Sequence, residues 1–498
     1  MAITTCDVGT CCSALSLELP GRVSLPGTAA YSASLASYFS AQEATVHPAC
    51  IVSPQSAQEV SRAVYVLTTT TTTTTASAAN GSSASPVGCP FAVRSGGHAL
   101  HAGAANMARG VTIDLSGLSS VEVLSDTDAR IVSAGVGTTW GSVYDYLDDL
   151  HLSVNGARSA GVGLGGLTLG GGISYFGPRY GWTCDTVANF EVVLANGTIV
   201  NANDEENPDL LWALRGGANN LGIVTRIDLQ TFEQGDLWGG QVITDYSTAD
   251  DQIAALAAFN EPADYDEYAS LITTFAYAPE LGLQVVVNNI EYSQPVANPP
   301  VFNTLTSMPA LSSTQRIANI TDLVWETETN NVSGLRQASA TVTILSTVPA
   351  IRAAVDAWED SLASVQDIPG IVWGLGMDPL PPQLYSQHAG SNALGLVGRQ
   401  GVTLIVVHLT VTWSNASDDA AVDLAARDLI GAIERDTDAL GALDPYIYIN
   451  YAAPWQLPIE SYGAASVAKL RMVRNAYDPT RVFTNLVPGG FKIPESSV

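Results

Sequence analysis

The chain is short of basic residues. Of its 498 residues, 20 are Lys or Arg and 48 are Asp or Glu, which gives a formal net charge of −28. This charge disfavours nucleic acid and anionic membranes as partners, because their phosphates bind to basic surfaces. An apolar run of about twenty residues is also missing, so the sequence predicts no membrane span. A hydrophobic content of 46% with only 14% charged residues is typical of a well-packed globular protein.

Metal-ligand spacing is absent as well. The six cysteines form no C-x-x-C pair and have no histidine partner beside them, so we expect no metal site. Five of the six stand in the first ninety residues, at Cys6, Cys11, Cys12, Cys50 and Cys89. We expect disulfides there, with either Cys11 or Cys12 joined to Cys50 and with Cys89 as a further candidate. Cys184 stands apart and is expected to be a buried core thiol.

The first residues, Met1-Ala2-Ile3-Thr4-Thr5, lack the basic and apolar parts of a signal peptide. Sequons of the type N-x-Ser/Thr nonetheless favour export. They stand at Asn80, Asn196, Asn319, Asn331 and Asn415. We therefore expect a secreted, monomeric glycoprotein whose leader was replaced by Met1. The threonine tract Thr68–Thr75, with the small residues after it, predicts a mobile surface spacer.

The length of the chain predicts more than one hydrophobic core. Up to about residue 235, short strands alternate with glycine-rich turns, and longer alternating strands and amphipathic helices follow. Predicted helices span 54–67, with Ser53 or Ser56 as cap, and 139–150, 248–260, 348–364 and 418–437. Predicted strands span 91–93, 110–115, 129–135, 270–277, 283–288 and 402–411, with a hairpin at 190–200 that turns at Asn196-Gly197. This pattern predicts an α+β protein with a first domain at 1–235 and a second at 236–445, built on an antiparallel sheet flanked by helices.

The stretch Arg94-Ser95-Gly96-Gly97-His98 follows the first of these strands. Two adjacent glycines allow a positive φ and a close approach of a ligand to bare backbone N–H groups, an arrangement that suits a pyrophosphate. A plain turn with a locally packed histidine is the alternative interpretation.

A second glycine-rich stretch, the glycine run, spans residues 161–172, of which seven are glycine. Gly161, Gly163 and Gly166 form a G-x-G-x-x-G, but a dinucleotide fingerprint needs a strand before it and a helix at its end. A helix over Leu167-Thr168-Leu169 and the three glycines after it would be costly. We therefore expect backbone that lies flat against a large planar cofactor instead.

Four motifs in order carry a resemblance to a known family: R-S-G-G-H, the glycine run, D-L-L-W-A-L-R-G-G at 209–217 leading into G-I-V-T at 222–225, and Tyr448-Ile449-Asn450-Tyr451 with Y-D-P-T-R-V-F at 477–483. Together they resemble the vanillyl-alcohol-oxidase type of FAD enzyme with a PCMH-type FAD-binding domain, in its berberine-bridge-enzyme-like group. The resemblance implies FAD as cofactor and a return of residues 446–498 to the first domain. The residues that it assigns to FAD are Arg94, Ser95, Gly96, Gly97, His98, Gly161, Val162, Gly163, Gly165, Gly166, Thr168, Gly171, Gly172, Gly222, Ile223, Val224, Tyr448 and Asn450.

The resemblance also implies a covalent bond between the His98 ring and the 8α-methyl carbon of the flavin. Many relatives add a bond from a cysteine to flavin carbon 6, and Ser159 stands at that position here. Because a serine hydroxyl lacks the nucleophilicity of a thiolate, we expect a single link. Val162 aligns with the residue over the flavin carbon that meets oxygen, where valine goes with oxidases, so we expect O2 as the acceptor and H2O2 as the by-product.

Tyr451 aligns with the tyrosine proposed as the base in the family, while Tyr448 and Asn450 would support the flavin and the substrate. A tyrosine base needs a cation or a hydrogen-bond donor beside it, and the candidates left open are Arg399, His388 and His408. We expect oxidation of an alcohol of a small molecule, either a secondary metabolite or a sugar. The alternative is a cyclase, isomerase or binding protein that retains the flavin without net redox turnover.

Overall fold

A computed structural model of the chain describes residues 8–70, 88–124, 130–261, 265–399 and 401–495. Its first sheet has four strands: β1 (Val23–Ser24), β2 (Cys50–Val52), β3 (Phe91–Arg94) and β4 (Val111–Asp114). The spatial order is β1-β2-β4-β3, in which β4 pairs parallel with both β2 and β3, and β1 is antiparallel to β2. The strand predicted before the R-S-G-G-H stretch is therefore confirmed, and it lies at an edge of this sheet.

The second sheet is antiparallel, with the spatial order β5-β6-β10-β8-β9 and with β7 on β10. Its strands are β5 (Val121–Leu124), β6 (Ile131–Gly135), β7 (Leu152–Val154), β8 (Val187–Val193), β9 (Ile199–Ala202) and β10 (Ile223–Glu233). β8 and β9 form the predicted hairpin, and Gly197 supplies the positive φ of +82° at its turn.

The third sheet has nine strands and is also antiparallel. Its strands are β11 (Leu237–Asp245), β12 (Ala269–Ala278), β13 (Leu283–Tyr292), β14 (Ala310–Ser313), β15 (Arg316–Ala318), β16 (Arg336–Leu345), β17 (Val372–Leu380), β18 (Leu404–Trp413) and β19 (Leu443–Asp444). The order is β14-β11-β13-β12-β17-β18-β16-β19, with β15 on β11. The α+β class with an antiparallel sheet in the second half is thus confirmed.

Helices cover these sheets. They are α1 (Val8–Glu18), α2 (Ala29–Ala36), α3 (Ala41–Ala44), α4 (Ala57–Thr69), α5 (Trp140–Asp148), α6 (Leu164–Leu169), α7 (Gly177–Tyr180), α8 (Pro208–Leu214), α9 (Ala249–Phe259), α10 (Asn303–Thr306), α11 (Ile320–Glu328), α12 (Val348–Val365), α13 (Pro382–Tyr385), α14 (Asp419–Ala439), α15 (Gly463–Tyr477) and α16 (Val482–Asn485). All five helices predicted from apolar spacing are confirmed. Ser56 caps α4, because its side chain accepts a hydrogen bond from the Glu59 N–H.

The described residues form two large hydrophobic cores and one small cluster around Tyr31 and Tyr38. One core lies between the first two sheets and includes residues of the terminal segment such as Tyr446 and Leu470. The other lies between the third sheet and α9, α12 and α14. The helix α11 comes from the second half of the sequence, yet Leu323 and Val324 are buried in the first core. This crossing brings α11 against the glycine run.

Two disulfides fix α1 to the first sheet. Cys11 is bonded to Cys89 and Cys12 to Cys50, which confirms bonds in this region and assigns the partners that the sequence left open. Cys184 is a buried free thiol, as predicted. Cys6, the sequon at Asn80 and the threonine tract beyond Thr70 lie outside the described residues. Within the described part of the chain, no helix is long and apolar enough to cross a membrane.

Candidate active site

His98 lies on a tight turn at the end of β3. Gly97 has φ +72°, and a Cβ there would stand 2.7 Å from Arg94 Nε, so a side chain would be strained and crowded. The imidazole of His98 stacks on the Phe39 ring with centroids 3.8 Å apart. Its Nε2 is buried and has no hydrogen-bond partner among the described residues. Burial lowers the pKa of His98 to about 4, so the ring is neutral at neutral pH.

The Arg94 side chain is committed to the protein itself. Its guanidinium donates to the carbonyl oxygens of Ser34 at 2.6 Å and Ser37 at 2.9 Å and lies 3.5 Å from the Asp114 carboxylate. It also covers the Tyr38 ring. The two terminal nitrogens of Arg94 are therefore engaged within the protein, while its Nε is buried without a hydrogen-bond partner among the described residues.

A buried carboxylate holds the loop that follows His98. Glu43 accepts hydrogen bonds from the N–H groups of Gly103 and Ala105, and Ser40 donates to the Ala99 carbonyl. Burial raises the pKa of Glu43 to about 7, while the backbone donors oppose that shift. These bonds fix the direction in which the chain leaves the His98 turn.

The two glycine-rich stretches meet backbone to backbone. A Cβ on Gly96 would stand 2.4 Å from the Gly163 Cα, so only glycine allows this approach. The Ser95 hydroxyl donates to the Val136 carbonyl and accepts from the Gly165 N–H at 3.2 Å. The structure therefore brings together the two motifs that the sequence singled out.

The prediction that no helix forms in the glycine run is wrong. α6 begins after Gly163 and spans six residues, and Leu164 and Thr168 are fully buried on it. The Thr168 hydroxyl donates to the Leu164 carbonyl. Burial has overridden the weak helical propensity of the sequence. The dinucleotide fingerprint is still excluded, because β7, the strand before the run, pairs antiparallel with β10 and builds no parallel βαβ unit.

The remaining glycines assigned to FAD differ in their surroundings. Gly166 is exposed and has open space where a Cβ would lie. Gly171 and Gly172 have φ of +106° and +86°, and their carbonyls accept from Cys184 and Thr183 at 2.8 and 2.9 Å. The last two therefore turn the chain into the core.

The residues Gly222, Ile223 and Val224 lie at the start of β10 in the middle of the second sheet. A Cβ on Gly222 would stand 2.4 Å from Val192 Cγ1. Val162 is partly buried against the first core, and its carbonyl accepts from the Trp140 N–H at 3.0 Å.

The terminal segment brings its two tyrosines to α6. Asn450 donates to the Leu167 carbonyl and to the Tyr448 hydroxyl, both at 3.0 Å. The Tyr448 ring is buried and meets the Tyr451 ring edge-on, with centroids 4.8 Å apart. The fragment Tyr448-Ile449-Asn450-Tyr451 is thereby fixed beside the glycine run.

The structure places an arginine that sequence reasoning missed beside Tyr451. Arg158 donates to the Tyr451 hydroxyl and forms a two-pronged ion pair with Asp378, at 2.8 and 3.2 Å. Arg158 directly precedes Ser159 and is the only charged residue between Asp149 and Arg179 apart from His151. That isolated charge was the signal that could have identified it. Asp378, at the end of β17, carried no comparable signal in the sequence.

Of the three candidate partners for Tyr451, only His408 lies against it. The two rings stack with centroids 3.6 Å apart and 3° between their planes. Arg399 instead pairs with Asp444 at 3.0 Å, and His388 lies beside Gly181 and Asp185. Burial lowers the pKa of His408 to about 4, so this ring is neutral and Arg158 supplies the positive charge.

Burial also raises the pKa of Tyr451 well above its usual range. The Arg158 guanidinium opposes this shift, and the Asp378 carboxylate adds to it. Tyr451 is therefore a protonated phenol at neutral pH in this structure.

Ser159 stands where a second covalent link would form, and its hydroxyl is already engaged. It donates to the Glu328 carboxylate and accepts from Asn331 Nδ2 at 2.9 Å. The same carboxylate accepts from the Gly161 N–H at 2.9 Å. Glu328, at the end of α11, thus clamps the entrance to the glycine run.

The residues present fit a flavin. His98 offers a neutral ring with a buried nitrogen that no described residue satisfies, and there is open space where Gly166 of the nearby glycine run lacks a side chain. Among the residues that the structure describes, no group of three or more His, Cys, Asp or Glu could hold a metal ion.

Residues 48–203 match the family described as FAD binding domain. The chain is 35% identical to FAD-dependent monooxygenase CTB5 of Cercospora beticola, over 97% of this chain and 92% of that protein. It is 43% identical to Oligopeptidase PhomG' of Diaporthe leptostromiformis, but the match covers only 36% of that protein, so no peptidase activity is inferred from it.

Two solved structures share the fold over almost the whole chain. One is Physcomitrella patens BBE-like 1, with a TM-score of 0.75 and 20% identity over 98% of this chain and 100% of that one. The other is Glucooligosaccharide Oxidase from Acremonium strictum, described with a 6-S-cysteinyl, 8α-N1-histidyl FAD, with a TM-score of 0.72 and 18% identity over 98% and 100% of the two chains.

Proposed function

Because the chain belongs to the vanillyl-alcohol-oxidase type of FAD-dependent oxidoreductases, in its berberine-bridge-enzyme-like group, we propose that it is a secreted oxidase of small-molecule alcohols. It oxidises a CH–OH group to a carbonyl and passes the two electrons to O2, which becomes H2O2. The observation that carries this proposal is the cluster of Arg158, Asp378 and Tyr451 beside the glycine run. It supplies a proton acceptor where the cofactor would bind.

FAD, when bound, supplies the acceptor for the hydride that leaves the carbinol carbon. The protein must then remove the hydroxyl proton of the substrate. Tyr451 starts as a phenol, so it takes this proton while its own passes to Asp378. Arg158 donates to the phenol oxygen and stabilises the negative charge that develops on it. Tyr448 and Asn450 hold this segment against α6.

The residues proposed to bind FAD are those of the His98 turn, the glycine run and the start of β10. His98 is proposed to form one covalent link, since its neutral ring is nucleophilic and Ser159 has no thiol. Acid precipitation of the purified protein should carry the yellow colour into the pellet, and His98→Ala should leave it in the supernatant. Peptide mapping should find flavin on the peptide that contains His98 and none on residues 155–165. Flavin in the wild-type supernatant would disprove the covalent link.

The oxidase proposal is tested by a peroxide-coupled screen of sugars, polyols and aromatic alcohols. We expect one H2O2 for each substrate oxidised. A substrate that bleaches the flavin anaerobically without forming peroxide in air would show that O2 is not the acceptor. A substrate that is converted without bleaching would indicate the alternative, in which the flavin is retained without net redox turnover.

The name of one relative favours a second candidate, a monooxygenase. The two differ in the fate of oxygen, since a monooxygenase places one oxygen atom in the product and needs an external reductant. Conversion under ¹⁸O2 separates them. We expect an unlabelled product without added NADH or NADPH, and a labelled product would favour the second candidate.

The domain boundaries are part of the proposal. We assign residues 1–235 and 446–498 to the FAD-binding domain and residues 236–445 to the substrate-binding domain. The burial of Tyr446, Tyr448 and Leu470 in the first core supports the return of the terminal segment.

A further inference from the structure

Lys492 is one of two lysines in the chain, and it lies in the terminal segment. Its ammonium donates to Asn219 Oδ1 at 3.0 Å. Among the described residues it forms no ion pair within 4.0 Å. Burial lowers its pKa to about 7, although the charge of Asp478 opposes that shift. The Lys492 side chain is partly exposed. An ammonium has three N–H donors, so a single acceptor from the protein leaves donors open to a ligand.

Four backbone segments contact one another in a closed ring that includes Lys492. They are the terminal segment, the loop that follows His98, the glycine run and residues 216–220. Gly489 packs on the backbone of Gly103 and Ala104, in the loop that follows His98. Asn219 Nδ2 donates to the Gly489 carbonyl at 3.0 Å, and Asn220 Nδ2 donates to the Phe491 carbonyl at 2.9 Å.

The ring continues through the glycine run. The Gly216 N–H donates to the carbonyl of Leu169, at the end of α6. The start of the same run contacts the His98 turn through Gly163 and Gly96. Lys492 thus lies on the same ring as the His98 turn and the glycine run, which are the two stretches proposed to bind FAD.

The arginines in these segments are engaged within the protein, and Arg215 donates to the carbonyl oxygens of Val187 and Ser391. Arg94 pairs with Asp114, and Arg158 pairs with Asp378. The chain carries a net charge of −28, so its overall field opposes the entry of an anionic cofactor. A diphosphate held only by backbone N–H groups would lack the direct ion pair that an ammonium provides.

We propose that Lys492 is a cofactor-binding residue whose ammonium pairs with the diphosphate of FAD. The role of Asn219 is to hold the ammonium in place. This inference concerns cofactor binding and does not depend on whether the enzyme reacts with O2 or on which substrate it oxidises.

The test compares FAD with riboflavin, which has the same ring system but no phosphate. In a His98→Ala background, binding of each flavin is measured by fluorescence quenching, with and without Lys492→Met. We expect Lys492→Met to weaken FAD binding by about tenfold to a hundredfold, the range for a hydrogen bond to a charged group. Riboflavin binding should not change. Lys469→Met is the matched control, because that lysine lies over the Trp212 ring, 3.7 Å from its centroid.

Equal weakening of FAD and riboflavin would show that Lys492 is merely structural and would overturn the proposal, as would unchanged FAD binding. A second measurement uses the holoprotein with His98 intact, so that flavin stays attached even if the diphosphate contact is lost. Its ³¹P NMR spectrum should show shifted diphosphate resonances in Lys492→Met and resonances close to wild type in Lys492→Arg and Lys469→Met. Identical spectra for Lys492→Met and wild type would also overturn the proposal.

Discussion

Tyr451 shows how burial and a single neighbouring charge compete at one side chain. Burial raises the pKa of its phenol, and Arg158 stabilises the ionised form. Because the phenol is protonated at rest, Asp378 is needed to receive its proton. A tyrosine in this position is therefore an effective base only together with these two residues.

Tyr451 and Val162 are expected to act on opposite half-reactions. Tyr451→Phe keeps the ring but removes the proton acceptor, so anaerobic flavin reduction should slow by about 10²- to 10⁴-fold. Reoxidation in air should not change. Val162→Leu adds bulk within the glycine run and should slow reoxidation while leaving reduction as in wild type. Stopped-flow absorbance measures both steps, and normal reduction in Tyr451→Phe would move the base to His408.

His408 should make the protein less stable in acid. The unfolded chain binds a proton on this histidine below its ordinary pKa of 6.5, whereas the folded protein does so only near 4. More protons are bound in the unfolded state within this window, so stability falls as the pH falls from 6.5 to 4, by up to about 3 kcal/mol.

The variant His408→Phe keeps a ring against Tyr451 but removes this titration. Its free energy of unfolding, measured in urea, should decrease less than that of wild type when the pH is lowered from 7 to 4.5. His47→Phe, at an exposed site, is the control. Parallel pH profiles for wild type and His408→Phe would contradict the assignment.

At the scale of elements, some helices form where the local sequence pattern predicts them, and others form because tertiary packing buries their side chains. α4, α5, α9, α12 and α14 carry apolar residues at helical spacing and form where that spacing predicts. α6 has no such pattern and forms because Leu164 and Thr168 are buried. α11 was not predicted either, although it covers the entrance to the glycine run.

The clamp from α11 should control local opening of the glycine run. Glu328→Ala removes the acceptor for the Gly161 N–H and for the Ser159 hydroxyl. Hydrogen exchange of the peptide 159–163 should therefore become faster, by at least about tenfold for a lost charged hydrogen bond. Glu326→Ala removes another glutamate two residues earlier in the same helix, which is paired with Arg316, and should leave that peptide unchanged. Equal exchange in Glu328→Ala and wild type would show that the clamp does not hold the run.

At the scale of the whole molecule, three distant parts of the chain meet at Arg158. It belongs to the first half, Asp378 to the third sheet and Tyr451 to the terminal segment. The ion pair is almost fully buried, with side-chain exposures of 10% and 3%. A buried pair of this kind is costly to break on one side, because the remaining charge has no partner.

A double-mutant cycle should reveal this coupling. Arg158→Met and Asp378→Asn are each expected to lower the free energy of unfolding by about 3 kcal/mol or more. The double variant should lose clearly less than the sum, because no unpaired charge is left. Urea unfolding measures all four proteins. Additive losses would mean that the two side chains stabilise the fold independently.

The family, the fold class and the positions of most long elements could be predicted from the sequence, because motifs and apolar spacing are local properties of the chain. The disulfide pairing of Cys11 with Cys89 and of Cys12 with Cys50 could not be predicted. The two cysteines are adjacent in the sequence, which does not show which of them faces which partner. The same holds for the partners of Tyr451. Arg158 and Asp378 lie 293 and 73 positions away along the chain, and only the packing of the third sheet against the first core brings them to the phenol. Side-chain charges that act over a few ångströms depend on that packing, and sequence spacing does not encode it.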